Sequence, residues 1–232
     1  MSVNTSEIRR VAVVDDNPDD RELLVWALED IGLAPIVIES VTSVDSAVQQ
    51  IFEVADAVVC DHQLRWGGFA GFDGAELVAR CFQQGMPAVL VTAFVMDTDI
   101  SIRLYRRNIP GLIPRDEVDG ERLAAELEAS RFELSDSPPR ERVPWLALVR
   151  VLRAREGSDE PMVDAVVPQW NPHRNVSFPR RMLGQAFPSG DPRELEGRRF
   201  FAKVNTGAED ASDLYFEDFE DAGEEPDDSD LL

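Results

Sequence analysis

The sequence predicts an α/β fold with a doubly wound five-stranded parallel sheet, followed by a small mainly β domain and a disordered acidic tail. Short apolar runs alternate with segments of helical spacing through the first 130 of the 232 residues, as in a parallel sheet covered by helices. A stretch rich in serine, proline and charge interrupts this pattern at residues 135–142. Beyond it, aromatic residues and prolines replace the helical spacing.

Each predicted strand is a short apolar run, and most are rich in Val and Ile, as expected for strands buried on both faces. These strands are placed at residues 11–14, 36–38, 57–60, 88–91 and, more weakly, 111–113. The intervening segments have helical spacing and are punctuated by Gly32, Gly85 and Gly111. The helices are placed at residues 20–31, 43–52, 74–83, 97–107 and 120–129.

The chain therefore divides into four predicted regions. They are an α/β domain at residues 1–133, a linker at 134–142, a β-rich domain at 143–208 and an acidic tail at 209–232. The tail contains twelve acids and no Lys or Arg, together with the apolar group Leu214, Tyr215, Phe216 and Phe219. Acidic segments with interspersed aromatic residues can fold onto a basic or apolar surface. That surface could belong to this chain or to another protein.

Composition and charge exclude several classes of protein. The net charge of −22 repels a phosphate backbone and disfavours nucleic-acid binding, although residues 140–203 carry a net charge of +4. No run approaches the roughly 18 apolar residues of a membrane span, and the first ten residues lack a signal sequence, which predicts a cytoplasmic protein with no membrane partner. Cys60 and Cys81 belong to no metal or disulfide motif and are expected to be buried small apolar side chains.

Polar residues follow four of the five predicted strands. Asp15 and Asp16 follow the first strand, Asp61 the third, Thr92 the fourth and Arg115 the fifth. The carboxyl ends of parallel strands share one edge of a sheet, so these side chains are expected to converge. Three carboxylates repel one another unless a hard cation such as Mg²⁺ binds them. A carboxylate on that cation can attack a phosphoryl group and form an aspartyl phosphate.

Five segments, VAVVDDNPDDRELL, VVCDHQL, GFDGAEL, AVLVTAF and GLIPRDE, occur in this order between residues 11 and 117. Through them, residues 8 to about 130 resemble the receiver domain of two-component response regulators. The resemblance implies a flavodoxin-like fold with Asp61 as phosphoacceptor and Thr92 as the hydroxyl that moves to meet the phosphoryl group. It also implies Mg²⁺ bound by Asp15, Asp16, Asp61 and the backbone carbonyl of Gln63.

Three features depart from the receiver pattern. The lysine that follows the fifth strand in receivers aligns best with Arg115, but an alignment on Pro114 would put Ile113 there and remove the cation. Leu112 replaces the usual aromatic partner of the switch hydroxyl, and the loop after the third strand has extra residues at 65–70. A pseudo-receiver scaffold that acts without phosphorylation is therefore an alternative.

The resemblance implies a response regulator that takes a phosphoryl group from a histidine kinase or phosphotransfer protein. Arg115 would help to hold the phosphoryl oxygens, and no enzyme activity is expected beyond phosphotransfer and dephosphorylation of the receiver itself. Residues 143–208 contain no helix-turn-helix pattern, so the output is expected to act through an unidentified protein partner. A nucleic-acid-binding domain masked by the acidic tail is a further alternative. The resemblance also allows a homodimer through the receiver.

Overall fold

The strands of the described residues form two separate five-stranded sheets in this computed structural model. The structure describes residues 7–64, 68–93, 100–135, 138–156, 161–188 and 191–223. The chain divides into two units, Met1–Pro139 and Arg140–Leu232. The division falls inside the predicted linker.

The first unit is built on a parallel sheet. Its strands are β1 (Arg10–Val14), β2 (Ala34–Val37), β3 (Ala57–Asp61), β4 (Ala88–Thr92) and β5 (Gly111–Pro114). The strand order is β2-β1-β3-β4-β5, and every pair is parallel. This is the flavodoxin-like order of doubly wound folds, so the fold class predicted for this unit is confirmed.

Within the described part of the first unit, five α-helices cover this sheet: α1 (Pro18–Asp30), α2 (Val44–Val54), α3 (Gly74–Gln83), α4 (Ile100–Tyr105) and α5 (Gly120–Leu134). The α1 helix begins two residues before its predicted start because the Asn17 side chain caps it, accepting a hydrogen bond from the Asp19 N–H at 3.0 Å. The predicted fourth helix continues beyond α4 as a 3-10 helix, Arg106–Asn108, and its residues 97–99 lie outside the described residues. No helix in the described ranges combines the length and apolarity needed to cross a membrane.

The parallel sheet separates two apolar cores. Ala12, Val58 and Leu90 face one core with α2 and α3, whereas Val11 and Val59 face the other with α1 and α5. All residues of β3 and β4 are buried, which explains why these strands are continuous apolar runs in the sequence. Packing on both faces therefore fixes the positions of the strand ends.

The second unit is an antiparallel sheet, which confirms the prediction of a mainly β domain. Its strands are β6 (Trp145–Arg155), β7 (Met162–Val167), β8 (Asn171–Pro179), β9 (Arg199–Val204) and β10 (Phe216–Asp221), in the order β10-β9-β6-β7-β8. The edge strands β8 and β10 are in aromatic contact, because the ring centroids of Phe178 and Phe216 lie 5.1 Å apart. The sheet is therefore curved, so that its two edge strands approach each other across the apolar core of the unit.

The predicted start of the acidic tail at residue 209 is corrected by the structure, because β10 pairs along β9. Leu214, Tyr215 and Phe216 are buried in the second unit, while acids beside them contact its bases. Asp218 lies 2.7 Å from Lys203, and Asp221 lies 3.4 Å from Arg198. Residues 209–223 thus fold onto the basic region of their own chain. Residues 224–232 lie outside the described residues.

A buried carboxylate joins three strands of the second unit. Asp164 on β7 accepts hydrogen bonds from Arg153 Nε at 2.9 Å, Arg155 Nε at 3.1 Å and the Ser177 hydroxyl at 2.6 Å. Burial alone would raise the pKa of Asp164, but the bonds from Ser177 and the two arginines outweigh it and hold the pKa below its ordinary value. The ionised form of Asp164 therefore stabilises the second unit.

We expect Asp164→Asn to lower the free energy of unfolding at neutral pH, and the difference from wild type to shrink in acid. A carboxyl group whose pKa is lowered on folding stabilises the folded protein at pH values above its unfolded-state pKa of 3.8. This stabilisation is lost as the pH falls through the pKa of the folded state. Urea unfolding of the full chain from about pH 7 to pH 3 measures the effect. The exposed Asp191→Asn is the control, and a difference that is constant with pH would contradict the assignment.

Candidate functional site

The carboxyl ends of β1, β3, β4 and β5 bring the predicted site residues to one edge of the parallel sheet. Asp15 directly follows β1, Asp61 ends β3, and Thr92 ends β4. Arg115 opens the 3-10 helix Arg115–Glu117 that follows β5. The register places Asp61 beside Val91 and Thr92 beside Pro114, so the strand ends lie side by side.

The three acids predicted to bind a metal form a cluster. One carboxylate oxygen each from Asp15, Asp16 and Asp61 lies within 4.8 Å of the other two. Asp15 is 1% exposed and Asp61 is 6% exposed, whereas Asp16 is half-buried. The cluster opens into a cleft of about 460 Å³ that Gln63 and Ala93 also line. Two of the three acids are thus buried residues that line a cleft.

Backbone N–H groups orient the two buried acids. The Asn17 N–H donates to Asp15 Oδ1 at 2.9 Å, and the Gln63 N–H donates to Asp61 Oδ2 at 2.7 Å. Each donor lies two residues after its acceptor, in the loop that leaves the strand. Each carboxylate therefore has one oxygen held by its own loop.

The second oxygen of each buried acid contacts Arg115. Its Nη2 donates to Asp15 Oδ2 at 3.0 Å and also donates a short hydrogen bond to Asp61 Oδ1. Its Nη1 lies 3.4 Å from Asp20 Oδ2. Burial alone would lower the pKa of Arg115, but the charges of Asp61 and Asp15 outweigh it and raise the pKa. The guanidinium is therefore a fixed cation among three acids.

The environment also shifts the pKa of Asp15. This pKa is raised to about 6, because burial and, less strongly, the nearby charge of Asp61 outweigh the hydrogen bond from Asn17 and the charge of Arg115. A carboxylate with this pKa binds protons far more readily than an exposed aspartate. The cluster thus favours added positive charge.

The position of the cation distinguishes the two alignments of the segment GLIPRDE. Ile113 is fully buried in the core that contains α1 and α5, so it does not reach the acids. Arg115 contacts them directly. The geometry therefore favours the alignment that places a cation here. Leu112 is half-buried and packs on the opposite core.

Thr92 and Gln63 lie at the edge of the sheet that carries the acid cluster. Thr92 is buried at the end of β4, and Gln63 lines the cleft two residues after Asp61. The switch role of Thr92 and the ligand role of the Gln63 carbonyl remain predictions. Of the extra loop residues, Phe69 packs against the core that contains α2 and α3, while residues 65–67 lie outside the described residues.

Two residues of the site were not predicted from the sequence. Asp20 was not among the predicted site residues, but it lines the cleft beside Arg115 and accepts a hydrogen bond from the Asn17 side chain at 2.8 Å. Gly74 at the start of α3 donates its N–H to the His62 carbonyl at 2.8 Å, directly behind Asp61. The sequence signal for Gly74 is that a glycine occupies the first position of the predicted helix 74–83, where most helices have a residue with a side chain.

The two cysteines are buried small side chains, as predicted. Cys60 and Cys81 are free and buried in the core that contains α2 and α3. Burial raises the pKa of Cys60 well above its ordinary value and that of Cys81 to about 12. Both thiols are therefore held in the protonated form.

Comparison with known proteins gives structural matches to the first unit. No protein-family model and no curated protein matches the sequence. A response-regulator receiver domain from Clostridium thermocellum is 14% identical, with a TM-score of 0.43, over 55% of this chain and 97% of that one. The N-terminal domain of a response regulator/sensory box/GGDEF protein from Carboxydothermus hydrogenoformans is 18% identical, with a TM-score of 0.42, over 55% and 98%.

A third match is the response regulator TrrA from Thermotoga maritima, solved in complex with Mg²⁺ and BeF. It is 21% identical, with a TM-score of 0.39, over 53% of this chain and 98% of that one. The strand order is that of a flavodoxin-like sheet, and the acids predicted at the strand ends lie together there. The first unit has the flavodoxin-like fold of a doubly wound parallel sheet. We refer to it below as the receiver unit, after the family that its sequence resembles.

The residues of the receiver unit fit a magnesium ion. The cluster offers carboxylate oxygens, which are the hard donors that Mg²⁺ prefers, and the adjoining cleft leaves room for the water molecules that this ion retains. Its three acids lie close enough together for one ion to contact more than one of them.

Proposed function

We propose that the receiver unit accepts a phosphoryl group on Asp61 and that the chain is a response regulator. The observation that supports this most directly is the meeting of Asp15, Asp16, Asp61 and Arg115 at one edge of the sheet. A nucleophilic carboxylate, two further acids for a cation and a fixed guanidinium are the parts that phosphoryl transfer to an aspartate requires.

In the proposed reaction, a carboxylate oxygen of Asp61 forms a bond to phosphorus. The bond from phosphorus to the donor breaks, and its electron pair leaves with the donor, which is the imidazole nitrogen of a histidine kinase or phosphotransfer protein. Magnesium, when bound, supplies positive charge that neutralises the phosphoryl oxygens. Asp15, Asp16, Asp61 and the carbonyl of Gln63 would hold it.

Arg115 and Thr92 act on the product. The guanidinium lies next to Asp61, so it can bond to the new phosphoryl oxygens. The Thr92 hydroxyl donates a hydrogen bond to the same anion and draws its loop inward. The loop that follows β4 therefore carries the change away from Asp61.

The second unit is proposed to be the output. We propose that it acts by contact with a protein partner in the cytoplasm and that the receiver unit catalyses only its own phosphotransfer and dephosphorylation. The acids of residues 209–223 pair with bases of their own unit, so less positive charge is left for nucleic acid. A dimer through the receiver unit would be one way to pass on the signal.

The test is covalent labelling with a small phosphodonor, acetyl phosphate, in the presence of Mg²⁺. We expect intact mass spectrometry to show one acid-stable, base-labile phosphoryl group on the wild type and none on Asp61→Asn. Asp19→Asn is the matched control, because Asp19 is exposed in the first turn of α1 and should be labelled normally. Equal labelling of the wild type and Asp61→Asn would contradict the assignment of Asp61.

The pseudo-receiver is the second candidate. The observation that favours it is the guanidinium of Arg115, which contacts both buried acids and leaves Asp61 with both oxygens hydrogen-bonded. It predicts no labelling of the wild type under the same conditions. The labelling experiment therefore distinguishes the two candidates.

A further inference from the structure

Arg115 contacts the two buried acids of the proposed magnesium site. Its Nη2 contacts Asp15 Oδ2 and Asp61 Oδ1, the two oxygens that the loop N–H groups leave open. A cation that contacts these same oxygens would lie next to the guanidinium, and the two positive charges would repel each other. The site thus holds a cation of its own.

Asp20 gives the guanidinium a second partner. Its carboxylate lies 3.4 Å from Arg115 Nη1, and the Asn17 side chain holds it by a hydrogen bond of 2.8 Å. The Asp20 side chain is 31% exposed, at the open side of the cleft, whereas those of Asp15 and Asp61 are 1% and 9% exposed. Arg115 can therefore leave the buried pair and remain bound to Asp20.

From these contacts we infer that Arg115 competes with Mg²⁺ for Asp15 and Asp61, and that displacement of Arg115 toward Asp20 sets the magnesium affinity of the receiver unit. The inference rests on the proposed function only in taking Mg²⁺ as the ion. Lysine has the same charge, but its compact ammonium lacks the planar fork that contacts the buried pair through Nη2 and Asp20 through Nη1. The geometry of the arginine, and not only its charge, therefore limits magnesium binding.

Isothermal titration of the full-length, metal-free protein with Mg²⁺ tests this competition. We expect Arg115→Gln to bind Mg²⁺ at least tenfold more tightly than the wild type, because charges at this distance change binding equilibria by about tenfold or more. Arg115→Lys is expected to bind about fivefold more tightly despite its unchanged charge. Arg131→Gln, which removes an arginine paired with Glu128 on α5, is the matched control and should bind like the wild type.

Thermal unfolding gives an independent measurement. Without metal, Arg115→Gln should be less stable than the wild type because its buried acids lose their counter-ion, and Mg²⁺ should stabilise it more than it stabilises the wild type. If the glutamine variant does not fold, the lysine variant carries the test. The inference is overturned if the lysine variant binds Mg²⁺ no more tightly than the wild type, or if none of these proteins binds Mg²⁺.

The outcome is separable from that of the labelling experiment. A protein that binds Mg²⁺ in the expected order but is not labelled by acetyl phosphate disproves the proposed function and supports the competition. A protein that is labelled on Asp61 but shows equal affinities for all variants supports the proposed function and disproves the competition.

Discussion

Truncation of the chain after residue 208 is expected to unfold the second unit. The deletion removes β10 together with Leu214, Tyr215 and Phe216, which are 0%, 1% and 5% exposed. Burial of each such side chain contributes about 2 kcal/mol, and the total stability of a small domain is only about 5–15 kcal/mol. The remaining edge strand β9 would also expose its backbone N–H and C=O groups.

The side chain of Asn205 adds to this loss. It is fully buried, donates to the carbonyls of Glu141 and Asp213 at 2.9 and 3.0 Å, and accepts from the Tyr215 N–H at 2.7 Å. Truncation removes two of these three partners. Buried polar groups that lose their partners destabilise a protein by about 1–3 kcal/mol each.

Limited proteolysis and thermal unfolding measure the effect of the truncation. A chain that ends at residue 223 is the control, because it keeps every described contact of β10 while losing five of the twelve acids of the C-terminal segment. We expect it to unfold like the full chain, whereas the chain ending at 208 is digested throughout the second unit. Equal protease resistance of the two truncated chains would show that β10 is dispensable.

The receiver unit could be predicted closely because its strands are local apolar runs. Residues 57–60 and 88–91 are buried on both faces, so composition alone identifies them as β3 and β4. The convergence of Asp15, Asp61 and Thr92 then follows from the general rule that the ends of parallel strands share one edge. Both inferences require only sequence order and apolarity.

The acidic segment could not be placed from the sequence because its charge conceals its pattern. Phe216 and Phe219 belong to the aromatic core, where their rings lie 5.9 Å apart and both contact Phe178. Between them, Asp218 pairs with Lys203 on β9. A period-2 pattern that is interrupted by a bulge between Glu217 and Glu220 leaves only a weak strand signal.

The contacts of Arg115 were also beyond sequence reasoning. The position of Arg115 in the sequence shows only that a cationic residue follows β5. Whether the side chain contacts one acid or several depends on the 3-10 helix in which it lies and on Asp20 from α1. Such a contact, between residues 95 positions apart in the sequence, depends on where the tertiary fold places the end of β5 relative to the start of α1.

Gly74→Ala is expected to destabilise the receiver unit and to displace Asp61. A Cβ atom at Gly74 would lie 1.8 Å from the carbonyl oxygen of Asp61 and 2.9 Å from the Cys60 Sγ, so the backbone of β3 or α3 must move. Overpacking a buried site costs about 1–3 kcal/mol, and a clash with backbone falls at the upper end. A shift of about 1 Å in a reacting group can slow a reaction about 100-fold.

Two other glycines separate displacement of Asp61 from general destabilisation. Gly71→Ala meets no atom within 4 Å and should leave both stability and labelling unchanged. A Cβ atom at Gly120 would lie 2.7 Å from Ile31 Cγ2 and 2.8 Å from the Ala27 carbonyl oxygen. Gly120→Ala should therefore destabilise the unit through a clash at the end of α1 and not through a clash with Asp61. At a temperature where all three variants are folded, we expect the rate of labelling by acetyl phosphate to fall only in Gly74→Ala. Equal labelling rates for Gly74→Ala and Gly120→Ala would show that the contact between α3 and β3 does not position Asp61. A general loss of stability would then account for the labelling rates of both variants.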